Sequence, residues 1–354
     1  MPTRKVPVVE EPLPSVSESA VFHDSRMVMS VVAGLVVLCL VLLVSASRRK
    51  RYNLKGKHVV VTGGSSGIGK SIARLALERG ARSVTILARK ASTLEAARTE
   101  LASSVKSGQS VFAHSVDVGS SPDKVKAAME AACSESGPVD VLVNCAGTSV
   151  PGRFEDLDAS VFEQMMRVNY LGSVYPTRAV VPAMKARGSG RVVFVSSQAG
   201  QVGVFGFAAY SPSKFALVGL AQVLRMELKP YGVGVSIAFP PDTDTPGFAL
   251  ENTCKPEETR LISETAGLFK PDEVARGIVG GLERGDFSIW VGLDGWMLAT
   301  LTAGMAPASS ILEGLTQGLL TSVLRVIGLC YVESFDGIAR AGKKKREAQG
   351  TQRT

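Results

Sequence analysis

The chain is short of the groups that usually carry metal and imidazole chemistry. Its three histidines, His23, His58 and His114, form no cluster. A His-based triad therefore has little to work with, and no metal site is expected. Five cysteines (39, 133, 145, 254 and 330) are odd in number, scattered and free of any CxxC pair. That argues against a disulfide framework or a zinc site and favours a reducing compartment. Aromatic residues make up only 6% and do not interleave with the basic clusters, so nucleic-acid binding is not expected. An acid is also missing at one informative place, the end of the second candidate strand in "ILARKAS".

What is present is a hydrophobic, basic chain: 354 residues, 45% hydrophobic, with 36 glycines and a formal charge of +8. The charge is concentrated at 48–57 and at Lys343–Arg346. The first cluster adjoins an apolar run and reads as membrane-flanking charge. The second also suits a solvated tail. The run Met27–Val44, "MVMSVVAGLVVLCLVLLV", has no charge and extends through Ser47. At 1.5 Å per residue, 27–47 spans roughly 30 Å, a bilayer core. A cleaved signal peptide fits less well, because its apolar region is shorter and is not followed at once by RRKR. The heavier positive charge after the run places the bulk of the chain on the cytosolic side.

The expected organisation is a disordered segment 1–26, a transmembrane anchor 27–47 and an α/β domain 48–290. Apolar helices 291–335, membrane-associated or packed on the core, and a basic tail 336–354 follow. Within 48–290, short β-branched runs alternate with helical stretches: 58–63, 83–88, 110–117, 139–147, 191–197, 233–240 and 287–292. Runs such as VVV and VLV are apolar on both faces, as strands buried between helix layers must be. The pattern predicts a Rossmann-type, doubly wound parallel sheet.

After the first of these strands comes "TGGSSGIGKSIA". Glycines 63, 67 and 69 let backbone N–H groups approach a pyrophosphate at a helix N-terminus, and Ser65 and Ser66 add hydroxyl donors. At the second strand's end, Arg89 and Lys90 replace the acid that would accept from a ribose 2′-hydroxyl. A cation there suits a 2′-phosphate and favours NADP(H). Further on, "AAYSPSKFAL" sets Tyr210 four residues before Lys214, one face of a helix apart. A neighbouring ammonium pulls a phenol's pKa down toward neutrality. Pro212 is tolerated only in a first helical turn, so this helix is expected to begin near Ser211.

TGGSSGIG (62–69), Asp117 in "SVDV", NCAG (144–147), Asn169 in "VNYLG", "VSSQAG" (195–200) and Y-S-P-S-K (210–214) follow one another in order. Over about 55–250 the chain thereby resembles the short-chain dehydrogenase/reductase family. The resemblance implies that Tyr210 is the general acid in ketone reduction and that Lys214 binds the nicotinamide ribose and lowers the tyrosine pKa. It implies further that Ser197 orients the substrate carbonyl and that Asn169 supports a proton-relay water. Ser197 is preferred to Ser196, since it stands 13 residues before the tyrosine and opens an S-x-x-G turn. NADPH/NADP+ is expected against Gly63, Ser65, Ser66, Gly67, Ile68, Gly69, Arg89, Asp117, Val118, Asn144, Tyr210, Lys214 and Thr243. Cys145 stands where many members carry a second asparagine.

A closer likeness, in "NYLGSVYPTRAVVPAMK", "FGFAAYSPSKFALVGLAQ" and "PPDTDTPGF", points within that family to reductases of long-chain lipid ketones. It implies a long-chain amino-ketone substrate, a bilayer partner and the endoplasmic reticulum membrane, with the catalytic domain toward the cytosol. The region of about 242–270 is expected to cover the substrate. A reductase of a steroid, retinoid or fatty-acyl ketone, and a non-catalytic nucleotide-binding membrane scaffold, remain as alternatives. Homo-oligomerisation is left open.

Overall fold

The computed structural model describes residues 51–351 and, before these, only Gly34. The expected N-terminal segment and anchor therefore lie outside the described residues. Seven strands make one parallel sheet: β1 (His58–Thr62), β2 (Ser83–Ala88), β3 (Ser110–Ser115), β4 (Val141–Asn144), β5 (Gly190–Val195), β6 (Val233–Phe239) and β7 (Ser288–Trp290). Their order is β3-β2-β1-β4-β5-β6-β7. The order reverses between β1 and β4, the place where doubly wound sheets open a crevice at their carboxyl ends.

Both faces of the sheet are covered, which is why the strands carry apolar residues on consecutive positions. Val59 and Val61 point to one layer, where they pack with Ile72 and Leu77 of α1 (Gly67–Glu78), Leu94 of α2 (Ala91–Ala102) and Ile278 of α9 (Pro271–Arg284). Val60 points to the other, with Met129 of α3 (Pro122–Ser136), Met184 of α5 (Gly172–Arg187) and Leu217 of α6 (Tyr210–Leu228). Successive side chains of a strand alternate in direction, so one valine run feeds two cores. His58 belongs to this framework: its Nδ1 meets Gly137 O and its Nε2 meets Thr85 Oγ1, both at 2.9 Å.

Between α3 and α5 lie α4 (Ala159–Met165) and a wider π-helical turn, Met166–Leu171. Beyond β6 come α7 (Pro246–Asn252) and α8 (Glu257–Glu264), and after β7 come α10 (Gly292–Leu301) and α11 (Ile311–Thr351). The last helix runs through the stretch expected to be a basic tail. Its end has partners: Lys345 Nζ lies 2.7 Å from Glu257 Oε2, and Arg346 pairs with Glu258. It is long and apolar enough to cross a membrane, by length and composition.

Candidate active site

The turn between β1 and α1 is built to be bare. Gly63 and Gly67 both have positive φ, 69° and 53°. A Cβ on Gly63 would stand 2.8 Å from Ala146 Cα, one on Gly67 2.8 Å from Thr245 Cγ2, and one on Gly69 would overlap the Gly63 carbonyl. Ser66 caps α1 without a side-chain cap bond, and the first turn holds no acidic residue. The helix N-terminus thus keeps its N–H groups and positive dipole end for an anion. Residues of this turn, with Arg89, Asp117 and Val118, line a cavity of about 800 Å³. Neither Arg89 nor Lys90 has a carboxylate partner among the described residues. The cradle, the free cations and the position at the strand-order reversal fit a dinucleotide carrying a 2′-phosphate.

Tyr210 is the first residue of α6, which puts Pro212 in the first turn, where the helix does not use its missing N–H. Tyr210, Ser197 and Lys214 all line the same cavity. The Lys214 ammonium donates to Val195 O at 3.0 Å and lies 5.7 Å from the centroid of the Tyr210 ring. Burial lowers its pKa from 10.5 to about 8. The downward pull on the phenol expected from this lysine does not prevail. Burial raises the Tyr210 pKa, the Glu251 carboxylate adds to the rise, a hydrogen bond with Ser197 opposes it, and Asp242 raises it further. The hydroxyl is therefore held protonated.

The two neighbouring serines have separate surroundings. Ser196 is buried and its Oγ donates to the Lys214 carbonyl at 2.9 Å, tying β5 to α6. Ser197 begins a short 3₁₀ turn, Gln198–Gly200, where its Oγ accepts from Ala199 N–H at 3.1 Å. Two asparagines expected at the site are turned into the framework and are outside the cavity lining. Asn169, in the π-helical turn, donates to Thr148 O at 3.0 Å and to Ser213 Oγ at 2.8 Å, and accepts from Thr148 N–H at 2.9 Å. Asn144 donates to Thr177 Oγ1 at 2.9 Å. Cys145, by contrast, lines the cavity, with its thiol pushed up to about 12 by burial. Thr243 also lines it, its hydroxyl donating to Pro241 O at 2.8 Å.

The wall that α10 and α11 give the cavity is mainly apolar, with Asp294, Thr321 and Arg325 as its polar members. Met297, Leu298 and Leu301 of α10 and Leu324, Ile327 and Val332 of α11 are among its apolar members, while α7 and α8 cover the cavity from the side. Sequence reasoning missed Glu251 of α7, which lines this cavity near Tyr210. Its only sequence signal is an i,i+4 pairing with Lys255, indistinguishable from an ordinary helix-surface pair.

Fold and site together define a nucleotide-dependent oxidoreductase. The family model for short chain dehydrogenase matches residues 57–254, more than half of the chain. The chain belongs to the short-chain dehydrogenase family. It is 55% identical over 288 residues to the 3-ketodihydrosphingosine reductase of Bos taurus, covering 81% of this chain and 86% of that protein. It is 51% identical over 321 residues to the 3-dehydrosphinganine reductase of Danio rerio, covering 90% and 96%. Among solved structures, a short chain dehydrogenase/reductase family protein aligns with a TM-score of 0.55 and 29% identity, over 66% of this chain and 91% of that one.

Proposed function

We propose that this protein reduces 3-ketodihydrosphingosine (3-dehydrosphinganine) to sphinganine with NADPH, at the cytosolic face of the endoplasmic reticulum membrane. The observation that carries the reading is one cavity with two chemically different parts to its lining. A Ser–Tyr–Lys set and a glycine cradle form one part of its lining, and a mainly apolar wall from α10 and α11 forms another. A polar ketone headgroup and a long alkyl chain would fit those parts, and the relatives named above carry this activity in their names.

NADPH, when bound, would supply the hydride. Tyr210, held as a neutral phenol, donates the proton to the carbonyl oxygen as negative charge develops there. A group kept protonated by burial suits an acid in the reductive direction. Ser197 donates to the same oxygen and orients it. Lys214, buried beside the tyrosine, would hold the cofactor's ribose. Asn169 positions: it fixes Thr148 and Ser213 on either side of the site, and a Cβ on Gly147 would touch both its Oδ1 and Lys214 Nζ at 3.2 Å. Arg89 and Lys90 would take the 2′-phosphate, Gly63, Ser65, Ser66, Gly67, Ile68 and Gly69 would cradle the pyrophosphate, and Asp117 and Val118 would flank the adenine side.

The test is oxidation of NADPH by the purified full chain with 3-ketodihydrosphingosine in detergent or vesicles. Turnover of that ketone with kcat/KM well above those for steroid, retinoid and simple fatty-acyl ketones is the expected result. Folded protein that leaves it unreduced overturns the reading.

A further inference from the structure

Asp242, Glu251 and Lys255 form a charge group beside Tyr210 that nothing in the reaction chemistry above uses. Lys255 Nζ lies 2.9 Å from Glu251 Oε1 and 3.7 Å from Asp242 Oδ2. The lysine side chain is 1% exposed and that of Glu251 13%. The lysine is fully engaged: its ammonium also sits 4.2 Å from the Phe248 ring centroid and 3.3 Å from Ser263 Oγ. Among the described residues neither carboxylate has another cation within ion-pair distance. Two carboxylates against one ammonium leave a formal charge of −1, mostly out of water, where an unbalanced charge is costly. Burial accordingly pushes the Glu251 carboxyl above the usual carboxylate range, against the opposing pull of Lys255. Both carboxylates line the cavity while Lys255 does not, so the uncompensated charge faces the bound substrate. Both line the same cavity as Tyr210, and both raise the pKa of its phenol.

We infer that Glu251, assisted by Asp242, is the specificity-determining group that binds the substrate's ammonium, the one on the carbon next to the ketone. The inference rests on the ketosphinganine reading above. An α-amino group titrates near pH ~8 and is mostly protonated at neutral pH. With the ketone oxygen between Ser197 and Tyr210, the adjacent ammonium lies within reach of groups flanking the tyrosine. The ammonium completes the charge balance that Lys255 leaves at −1. It also weakens the field by which the two carboxylates hold the phenol's proton, so binding of the correct substrate readies the acid. A ketone without the amine leaves both effects unmade.

The experiment compares kcat/KM for 3-ketodihydrosphingosine and for the same-length 1-hydroxy-3-ketone with hydrogen in place of the amine, using the full chain. In Glu251→Gln the amine-over-desamino ratio should fall about 10- to 100-fold, the size expected for loss of a charge-assisted contact. Asp242→Asn should move it the same way by less. A purely structural role for Glu251 would lower both values and leave their ratio alone, and an unchanged ratio in both variants overturns the inference. Should the variants fold poorly, the wild-type protein decides: sphinganine should inhibit at least 10-fold more tightly than its N-acetyl derivative, and equal inhibition overturns the inference. Wild-type protein that reduces neither ketone would instead remove the functional reading beneath it.

Discussion

Burial acts on the phenol of Tyr210 and the ammonium of Lys214 in opposite directions, because it penalises whichever form is charged. The phenol goes up and the ammonium comes down to about 8. Replacing Tyr210 by Phe removes the proton donor but keeps the ring that packs edge-on to Phe207 at 5.2 Å. Turnover should fall about 10²- to 10⁴-fold, with the melting temperature little changed; normal turnover would refute the tyrosine's role. Lys214 makes a prediction about stability. Below pH 8 its ammonium is charged in both folded and unfolded chains, and the folded state carries the whole desolvation cost. Between pH 8 and 10.5 the folded state sheds its proton first, so this group's contribution rises with pH, by about 3 kcal/mol in all. Denaturant unfolding of nucleotide-free wild type and Lys214→Met should show that slope in the first and not in the second. At the cofactor's end, Arg89→Ala should raise the KM for NADPH about 10-fold and leave NADH nearly untouched; equal losses would remove the 2′-phosphate assignment. The tyrosine, the lysine and the basic strand end were legible in sequence, since each declares itself by spacing along one element. The inward turn of Asn144 and Asn169 was not, because a motif position does not say which side of the backbone meets the cavity. Glu251 stayed hidden for a related reason: its neighbour Tyr210 is 41 residues away along the chain.

Among the elements, those whose partners are imposed by local pattern were the most readable. Doubly apolar strands demand two covering layers, and the seven expected strands lie in the sheet with ends shifted by at most a few residues. The glycine turn was readable too, although its geometry adds a ranking that spacing does not contain. Gly69 is the tightest of the three, since a Cβ there would overlap the Gly63 carbonyl, whereas at Gly67 the obstacle is a threonine methyl able to shift. Gly69→Ala should therefore cost about 1–3 kcal/mol of stability and weaken NADPH binding with it, as read by thermal melts and nucleotide titration. A variant with native stability and affinity would show that the turn relaxes freely. The reach of α11 past residue 335 had no comparable signal. Its cluster Lys343–Arg346 has the composition of a solvated tail, and the carboxylates it meets, Glu257 and Glu258, lie 88 residues away.

Considered as a whole, the catalytic unit fixes how α11 can meet a bilayer. The helix touches the rest of that unit at Leu324, which is buried, at Gly328 beside Leu301, and again at Lys345 and Arg346. Those contacts extend over about 33 Å at the α-helical rise, so the helix lies along the protein rather than projecting from it. Its outer side exposes Leu315, Leu319, Val323 and Val326, with Leu319 at 77%. An apolar stripe on a helix held this way suits insertion into the bilayer surface more than a crossing. The inner side of the same helix walls the cavity, so a bilayer on the outer side would leave a lipid a short path to the ketone site. Native cysteines report on this arrangement, for Cys330 lies exposed on α11 and Cys254 is exposed between α7 and α8. In sealed vesicles bearing the full chain, a membrane-impermeant maleimide should label Cys254 directly and Cys330 only after detergent is added. A cysteine introduced as Gln349→Cys should label together with Cys254, on the same side. Labelling of Cys330 without detergent would remove the lipid-facing assignment, and protection of residue 349 would show that α11 crosses the bilayer.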